Sequence, residues 1–300
     1  MRIVCLTCRN IPEPDVDEGP LLAALRERGA DASMLAWEDA AALLDQRGAD
    51  AWAPDLVVIR STWNYHHDLP AFLAAVDALA ARTRVLNAPE VVRTNAHKRY
   101  LAELDRAGVP VVPTEFIERG APRASLAELC ARRGWDDVVV KPAVSAGSFA
   151  TRRFRTGAFD DGEAFLREVL TRRDALVQAY MASVEGSGER SVMWIDGAFT
   201  HAIRKSPRFA GQDESVSDAL PIASDEMEVA RRVLGAAIPG VAIDRPCDAG
   251  VLYARIDLMR DERGTPLLSE LELIEPSLFL EQHPPARARL ADAMVRLARQ

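Results

Sequence analysis

Apolar and polar positions along this chain follow two periods. Residues 2–7 and 56–60 are short apolar runs, the pattern of strands buried on both faces. Residues 19–28 carry Leu21, Leu22 and Leu25 on one side of a helix that stops at Gly29. Residues 69–81 predict another helix and 84–87 a short strand. Strand–helix–strand alternation of this kind predicts a small parallel-sheet α/β unit with ligands at the carboxyl ends of its strands. Those ends carry Arg9, Asn10, Arg60, Ser61, Thr62 and Trp63.

A second unit begins near Pro89. The pattern predicts a helix over 94–107 ended by Gly108, an extended Pro-punctuated stretch over 109–116, and a helix over 125–133 with Ser125 as its N-cap. A strand follows over 138–141, then a helix over 162–170 and a strand over 175–180. The last portion reads as hairpins, a helix over 226–234, a strand pair and a closing helix over 285–299. The expected domains are 1–90, 91–180 and 181–300, an N-terminal parallel-sheet domain, a small central domain and a C-terminal mixed-sheet domain. Residues 206–221 form a long polar segment, read as a lid or a disordered loop.

With 48% hydrophobic and 27% charged residues the chain has the composition of a soluble protein. The net charge of −8 and the absence of a basic run disfavour nucleic acid and anionic membranes as partners. The N-terminus lacks a signal-peptide pattern and no apolar run approaches the ~20 residues of a membrane span, so a cytoplasmic protein is expected. Cys5 and Cys8 form a C-x-x-C, but no second Cys or His pair completes a metal site. Lys and Arg together number 37, and only Lys98, Lys141 and Lys205 are lysines. Lysine is a compact point charge where arginine is a planar fork, so sparse lysines point to sites the fork does not fit.

Three segments carry chemistry. In the first, a buried strand delivers Lys141 into a loop of small residues, Ser145, Gly147 and Ser148 among them, whose backbone N–H groups can approach phosphate. A plain turn with a surface lysine is the alternative. The second is a hairpin turning at Asp196-Gly197, which sets Glu189 opposite Arg204 and Ser191 opposite Ala202. Glu189 and Arg204 then form either a cross-strand ion pair or a ribose-and-phosphate site that includes Lys205. In the third, a turn centred on Arg263-Gly264 sets Asp257 opposite Glu270 and Arg255 opposite Glu272, all on one face. Facing carboxylates repel unless a cation lies between them, and all-oxygen ligation suits Mg²⁺ or Mn²⁺. A solvated acidic face neutralised by Arg255 is the alternative. Gln178, Ala179, Tyr180 and Met181 end a strand at a domain junction, where a backbone hinge could bind adenine.

In this order these motifs resemble the ATP-grasp superfamily over roughly residues 94–280. The resemblance implies a mixed α/β (α+β) ATP-grasp fold with a Rossmann-like N-terminal domain. It makes Lys98 and Lys141 the nucleotide-phosphate lysines, 145–148 the phosphate loop, 178–181 the adenine hinge, Glu189 the ribose ligand, and Asp257, Glu270 and Glu272 the metal ligands. Glu272 stands where the family usually has Asn. The segments 60–65, 201–207 and 271–280 are also similar to the ATP-grasp cyclo-ligases of D-cycloserine biosynthesis, which close the ring of O-ureido-D-serine.

That likeness implies ATP-dependent conversion of a carboxylate to an acyl phosphate, then attack by the substrate's own nitrogen. Mg²⁺ or Mn²⁺ would bridge the phosphates, Lys205 would offset their charge, and Arg204 would hold the acyl phosphate. Arg9, Arg60, Thr62, Trp63 and Asn64 would hold the amino acid, unless their loop only packs on the domain junction. His66 and His67 read as surface loop residues. The partners expected are ATP and a small amino acid, for a monomer or homodimer. An intermolecular ligase similar to glutathione synthetase and a non-catalytic nucleotide-binding regulator are the alternatives.

Overall fold

The computed structural model describes residues 1–47, 54–206, 215–241, 243–247 and 250–300. Near the N-terminus, β1 (Arg2–Thr7), β2 (Asp31–Ala36), β3 (Leu56–Ser61) and β4 (Val85–Leu86) form a parallel sheet in the order β2-β1-β3-β4. Helices α1 (Glu18–Glu27), α2 (Ala40–Arg47) and α3 (Leu69–Ala80) connect them. β2 and α2 have no counterpart in the hydrophobic pattern, because β2 is only half-buried and lacks an apolar run. The C-x-x-C is divided by the sheet. Cys5 packs on one face with Leu25 and Leu290, and Cys8 on the other with Trp37 and Leu44. Both are free, buried thiols, and burial pushes Cys5 up to about 12, so the pair behaves as core.

The helix expected over 94–107 is two helices, α4 (Pro89–Asn95) and α5 (Tyr100–Arg106). No Gly or Pro breaks the stretch. The break is imposed from outside by β12 (Pro266–Glu272), the edge strand of the last sheet. Asn95 donates to the Leu271 carbonyl at 2.8 Å and accepts from the Leu273 N–H at 2.9 Å. The Tyr100 hydroxyl accepts from the Leu271 N–H at 3.0 Å. Asn87 likewise donates to the Leu273 and Tyr253 carbonyls and accepts from the Leu252 N–H. These side chains satisfy a strand edge that would otherwise be open. In the break the Lys98 N–H donates to the Ala143 carbonyl at 2.8 Å.

β5 (Thr114–Ile117), β6 (Asp137–Pro142), β7 (Arg152–Arg155) and β8 (Ala175–Ala179) form an antiparallel sheet, order β5-β8-β6-β7. Helices α6 (Leu126–Arg133) and α7 (Phe159–Leu170) cover one face through Leu126, Leu129, Phe165 and Leu166. Ser125 caps α6 as expected, in a reciprocal box with Glu128. Period-two alternation buries Val138 and Val140 under those helices and leaves Val139 and Lys141 on the open face.

After the short α8 (Val184–Ser187), β9 (Glu189–Ile195), β10 (Ala198–Lys205), β11 (Tyr253–Arg260) and β12 form an antiparallel sheet, order β10-β9-β11-β12. Val192, Trp194, Ile256 and Leu271 pack on α5 and on α9 (Ser224–Ala237). On the opposite face the strands divide along their length. Met193, Ile195, Ile203 and Tyr253 join the core of the first sheet together with α10 (Pro284–Leu297). Ser191, Lys205, Arg255 and Asp257 continue the same face as a polar floor. The pieces therefore interlock: α5 packs on the last sheet, and α10 on the first. Among the described residues no helix is long and apolar enough to cross a membrane.

Asn95→Ala should lower unfolding free energy by about 2 kcal/mol or more, since it leaves a buried carbonyl and a buried N–H unpaired. A urea-melt midpoint equal to that of the parent protein would contradict this account of the helix break.

Candidate active site

The open faces of the last two sheets, with the loops 10–13 and 63–67 of the first unit, enclose a cleft of about 450 Å³. Its floor is an array of buried charges. Lys98 Nζ lies 2.9 Å from Glu270 Oε1, and Lys141 Nζ 3.5 Å from Glu270 Oε2. Lys205 Nζ lies 2.9 Å from Asp257 and 3.1 Å from Glu189. Arg255 bridges Asp257 and Glu272. Lys98, Lys141, Lys205, Asp257 and Arg255 are each at most 8% exposed, so water screens these charges weakly.

The titration behaviour follows from this crowding. Burial pushes the Asp257 carboxyl up, but Arg255 and Lys205 overcome it and hold the group far below its ordinary range. Glu270 is likewise held at about 2 by Lys98 and Lys141 against burial. Glu272 is pushed up to about 7, because burial and the nearby Asp257 and Glu270 outweigh Arg255. Glu275 is raised well above its ordinary value by burial and then by Glu272. Burial pushes Lys205 down, yet Asp257 and Glu189 leave it raised overall. Carboxyl groups thus outnumber cations at the Glu272–Glu275 end, which suits a bound cation. Among the described residues no three carboxylates converge as a ready ligand cluster, since each of Asp257, Glu270 and Glu272 is drawn to a lysine or arginine.

Strand register explains which expectations hold. Asp257 does face Glu270, and Arg255 faces Glu272. Pairing at the turn is one residue off the expected register, with the Asp261 N–H bonded to the Thr265 carbonyl, and a bulge at Ser269 restores it. In the other hairpin Asp196 and Gly197 make the expected turn with φ of 46° and 85°. A bulge at Thr200 then shifts the pairing, so Glu189 faces Lys205 and Ser191 faces Ile203. Arg204 is exposed, faces Arg190 and lies outside the cleft lining. The expected pairing of Glu189 with Arg204 is corrected to Glu189 with Lys205.

The loop after Lys141 bends through left-handed residues Gly147, Ser148 and Ala150, with φ of 55°, 59° and 50°. Ser145, Gly147 and Ser148 all line the cleft, and Lys98 Nζ holds the Ser145 carbonyl at 2.8 Å. Phe149 from this loop packs on His66, with ring centroids 4.7 Å apart, and on His67. His66 is therefore no surface residue: it is 6% exposed, and burial, His67 and Arg173 lower it to about 3. At the far end lie Gln178, Ala179, Tyr180 and Met181. The N–H groups of Ala179 and Tyr180 are already donated to Pro113 and Asp137, whereas the buried Gln178 Nε2 has no partner among the described residues.

The five proposed amino-acid contacts separate. Trp63 and Asn64 line the cleft. Arg60 and Thr62 are buried behind it, Arg60 against the Tyr253 ring, and Arg60 Nη1 and Thr62 Oγ1 have no partner among the described residues. Arg9 turns away to pair with Asp39 on the surface. Of the segment 206–221, residues 207–214, half of the expected lid, lie outside the described residues. Arg255 and Glu275 are cleft residues that the motifs alone did not single out, although period-two alternation had put Arg255 on the correct face.

A family model described as "D-cycloserine synthetase DcsG, N-terminal domain" matches residues 3–87. The chain is 30% identical over 306 residues to the cycloserine biosynthesis protein DcsG of Streptomyces lavendulae, with 98% of each covered. The crystal structure of D-cycloserine synthetase DcsG matches with a TM-score of 0.84 and 29% identity, covering 99% of this chain and 100% of that one. The fold extends to D-alanine–D-alanine ligase from Bacillus anthracis, with a TM-score of 0.69 at 15% identity over 99% of this chain and 97% of that one.

Lys205→Met should weaken binding of a fluorescent ATP analogue at least about 10-fold, since it removes a cleft cation, leaves Glu189 unpaired and leaves Asp257 to Arg255 alone. Arg204→Met should stay within about 3-fold, as expected of an exposed side chain. Equal losses for both variants would contradict the observed register.

Proposed function

The chain belongs to the D-cycloserine synthetase (DcsG) family of ATP-grasp ligases and is an ATP-dependent ligase, and we propose that it closes the ring of O-ureido-D-serine through an acyl phosphate. The observation that carries this reading is the meeting of Lys98, Lys141 and Lys205 on Glu270, Asp257 and Glu189 beside a small-residue loop. Held by carboxylates, the lysines are desolvated and aimed before any phosphate arrives. Phosphoryl transfer depends on positioning and charge neutralisation, which such an array supplies.

In this reading the triphosphate lies along the loop 145–148 and takes the three lysines as partners. Gln178 and Met181 meet the purine, and Glu189 the ribose. Asp257 and Glu270, released from the lysines, would hold Mg²⁺ together with Glu272. The crowding of carboxyl groups around Glu272 fits that ion. When bound, Mg²⁺ would neutralise phosphate charge and fix the phosphates in line. Arg255 stays beside Glu272 and steadies the acyl phosphate, the task first given to Arg204. Trp63 and Asn64 bound the amino acid, with Arg60 and Thr62 behind them. The nitrogen attacks the activated carbonyl, and the bond to phosphate breaks. Because nucleophile and electrophile share one molecule, no second substrate has to be ordered.

The protein with Mg²⁺ and ATP should release ADP with O-ureido-D-serine and no added amine. A requirement for a separate amine would support an intermolecular ligase instead. Glu270→Gln should lower kcat by at least about 100-fold, as it frees both lysines and removes a metal ligand. Full turnover in that variant would overturn the role given to the array.

A further inference from the structure

Glu275 is a carboxylate on the cleft wall that the reading above leaves without a task. It follows the end of β12 and is 8% exposed. Among the described residues its carboxylate makes no hydrogen bond and no ion pair, and the nearby cations are committed elsewhere. Lys98 holds Glu270 and the Ser145 carbonyl, and Arg255 holds Asp257 and Glu272. Burial without a partner favours the neutral form of a carboxyl group, and a cationic ligand would supply the counter-charge that ionises it.

Its surroundings say which ligand. Two residues of chain, Leu273 and Ile274, separate it from Glu272, so it stands within ~10 Å of the activation face and past the end of β12. The Trp63 indole N–H donates to the Glu275 carbonyl at 2.9 Å, which seats the residue against the loop of the first unit. Trp63 itself lines the cleft. A small divalent ion needs several converging oxygen donors. A single carboxylate on the cleft wall without a protein partner suits an organic ammonium, which needs one counter-charge.

We propose that Glu275 receives the α-ammonium of the substrate and makes the enzyme selective for α-amino acids. This rests on the amino-acid ligase reading above. The ammonium sits on the carbon next to the carboxylate being activated, which matches a carboxylate placed one step beyond the phosphate-facing acids. Carboxylic acids without the amine leave Glu275 buried and unpaired and are rejected.

The test compares kcat/KM for O-ureido-D-serine and for 3-(ureidooxy)propanoate, its analogue without the amine, in the parent protein and in Glu275→Gln. The parent protein should reject the analogue by about 100-fold or more, as sites built around a buried polar partner do. In Glu275→Gln the two substrates should be used within about 3-fold of each other, while affinity for a fluorescent ATP analogue is kept. Glu275→Met replaces it if the Gln variant does not fold, and Glu275→Asp should keep the discrimination. Undiminished discrimination in Glu275→Gln overturns the proposal, as does a defect confined to the Mg²⁺ requirement. If the parent protein releases no ADP with O-ureido-D-serine, the ring-closing reading fails instead. The same amine-dependence is then measured on whichever carboxylate does release ADP, and activity indifferent to the α-amine overturns the role of Glu275.

Discussion

The structure depends on one electrostatic constraint: three buried lysines and the buried or half-buried carboxylates packed against them must neutralise one another. Lys98 and Lys141 share Glu270, and Lys205 is shared by Asp257 and Glu189. None of these charges could be buried alone. Each lysine comes from a different element, the helix break after α4, the end of β6 and the end of β10. The ion pairs therefore tie the central sheet and the α4–α5 connection to the last sheet. They do so with contacts that a phosphate can replace, because an anion offers each lysine the same charge as the carboxylate it leaves.

Apolar packing and side-chain hydrogen bonds make that array possible. The last sheet uses one face twice, with Met193, Ile203 and Tyr253 docked on the first core and Lys205, Arg255 and Asp257 on the cleft floor. Its outer edge is closed by Asn87, Asn95 and Tyr100. Closing the edge splits the helix, and the split turns Lys98 into the cleft. Stability of the edge strand and delivery of a site lysine are thus one structural event.

Much of this was legible in the sequence where local rules dominate. Apolar runs give β1 and β3, the Ser125–Glu128 box gives the start of α6, and period-two alternation puts Arg255, Asp257, Glu270 and Glu272 on one face. Register survived between Asp257 and Glu270 because a one-residue shift at the turn and a bulge cancel. Between Glu189 and Arg204 it failed, since a single bulge at Thr200 has no compensating partner. The helix break, the burial of His66 under Phe149 and the turning away of Arg9 all depend on residues distant in the chain. Glu275 was hidden for a different reason: its significance lies in what it does not touch.

The most direct measurement is a structure of the protein with Mg²⁺ and a non-hydrolysable ATP analogue. The account predicts that Lys98 and Lys141 Nζ leave Glu270 for phosphate oxygens while Asp257 and Glu270 turn to the metal. Phosphates bound away from an intact Lys98–Glu270–Lys141 array would contradict it.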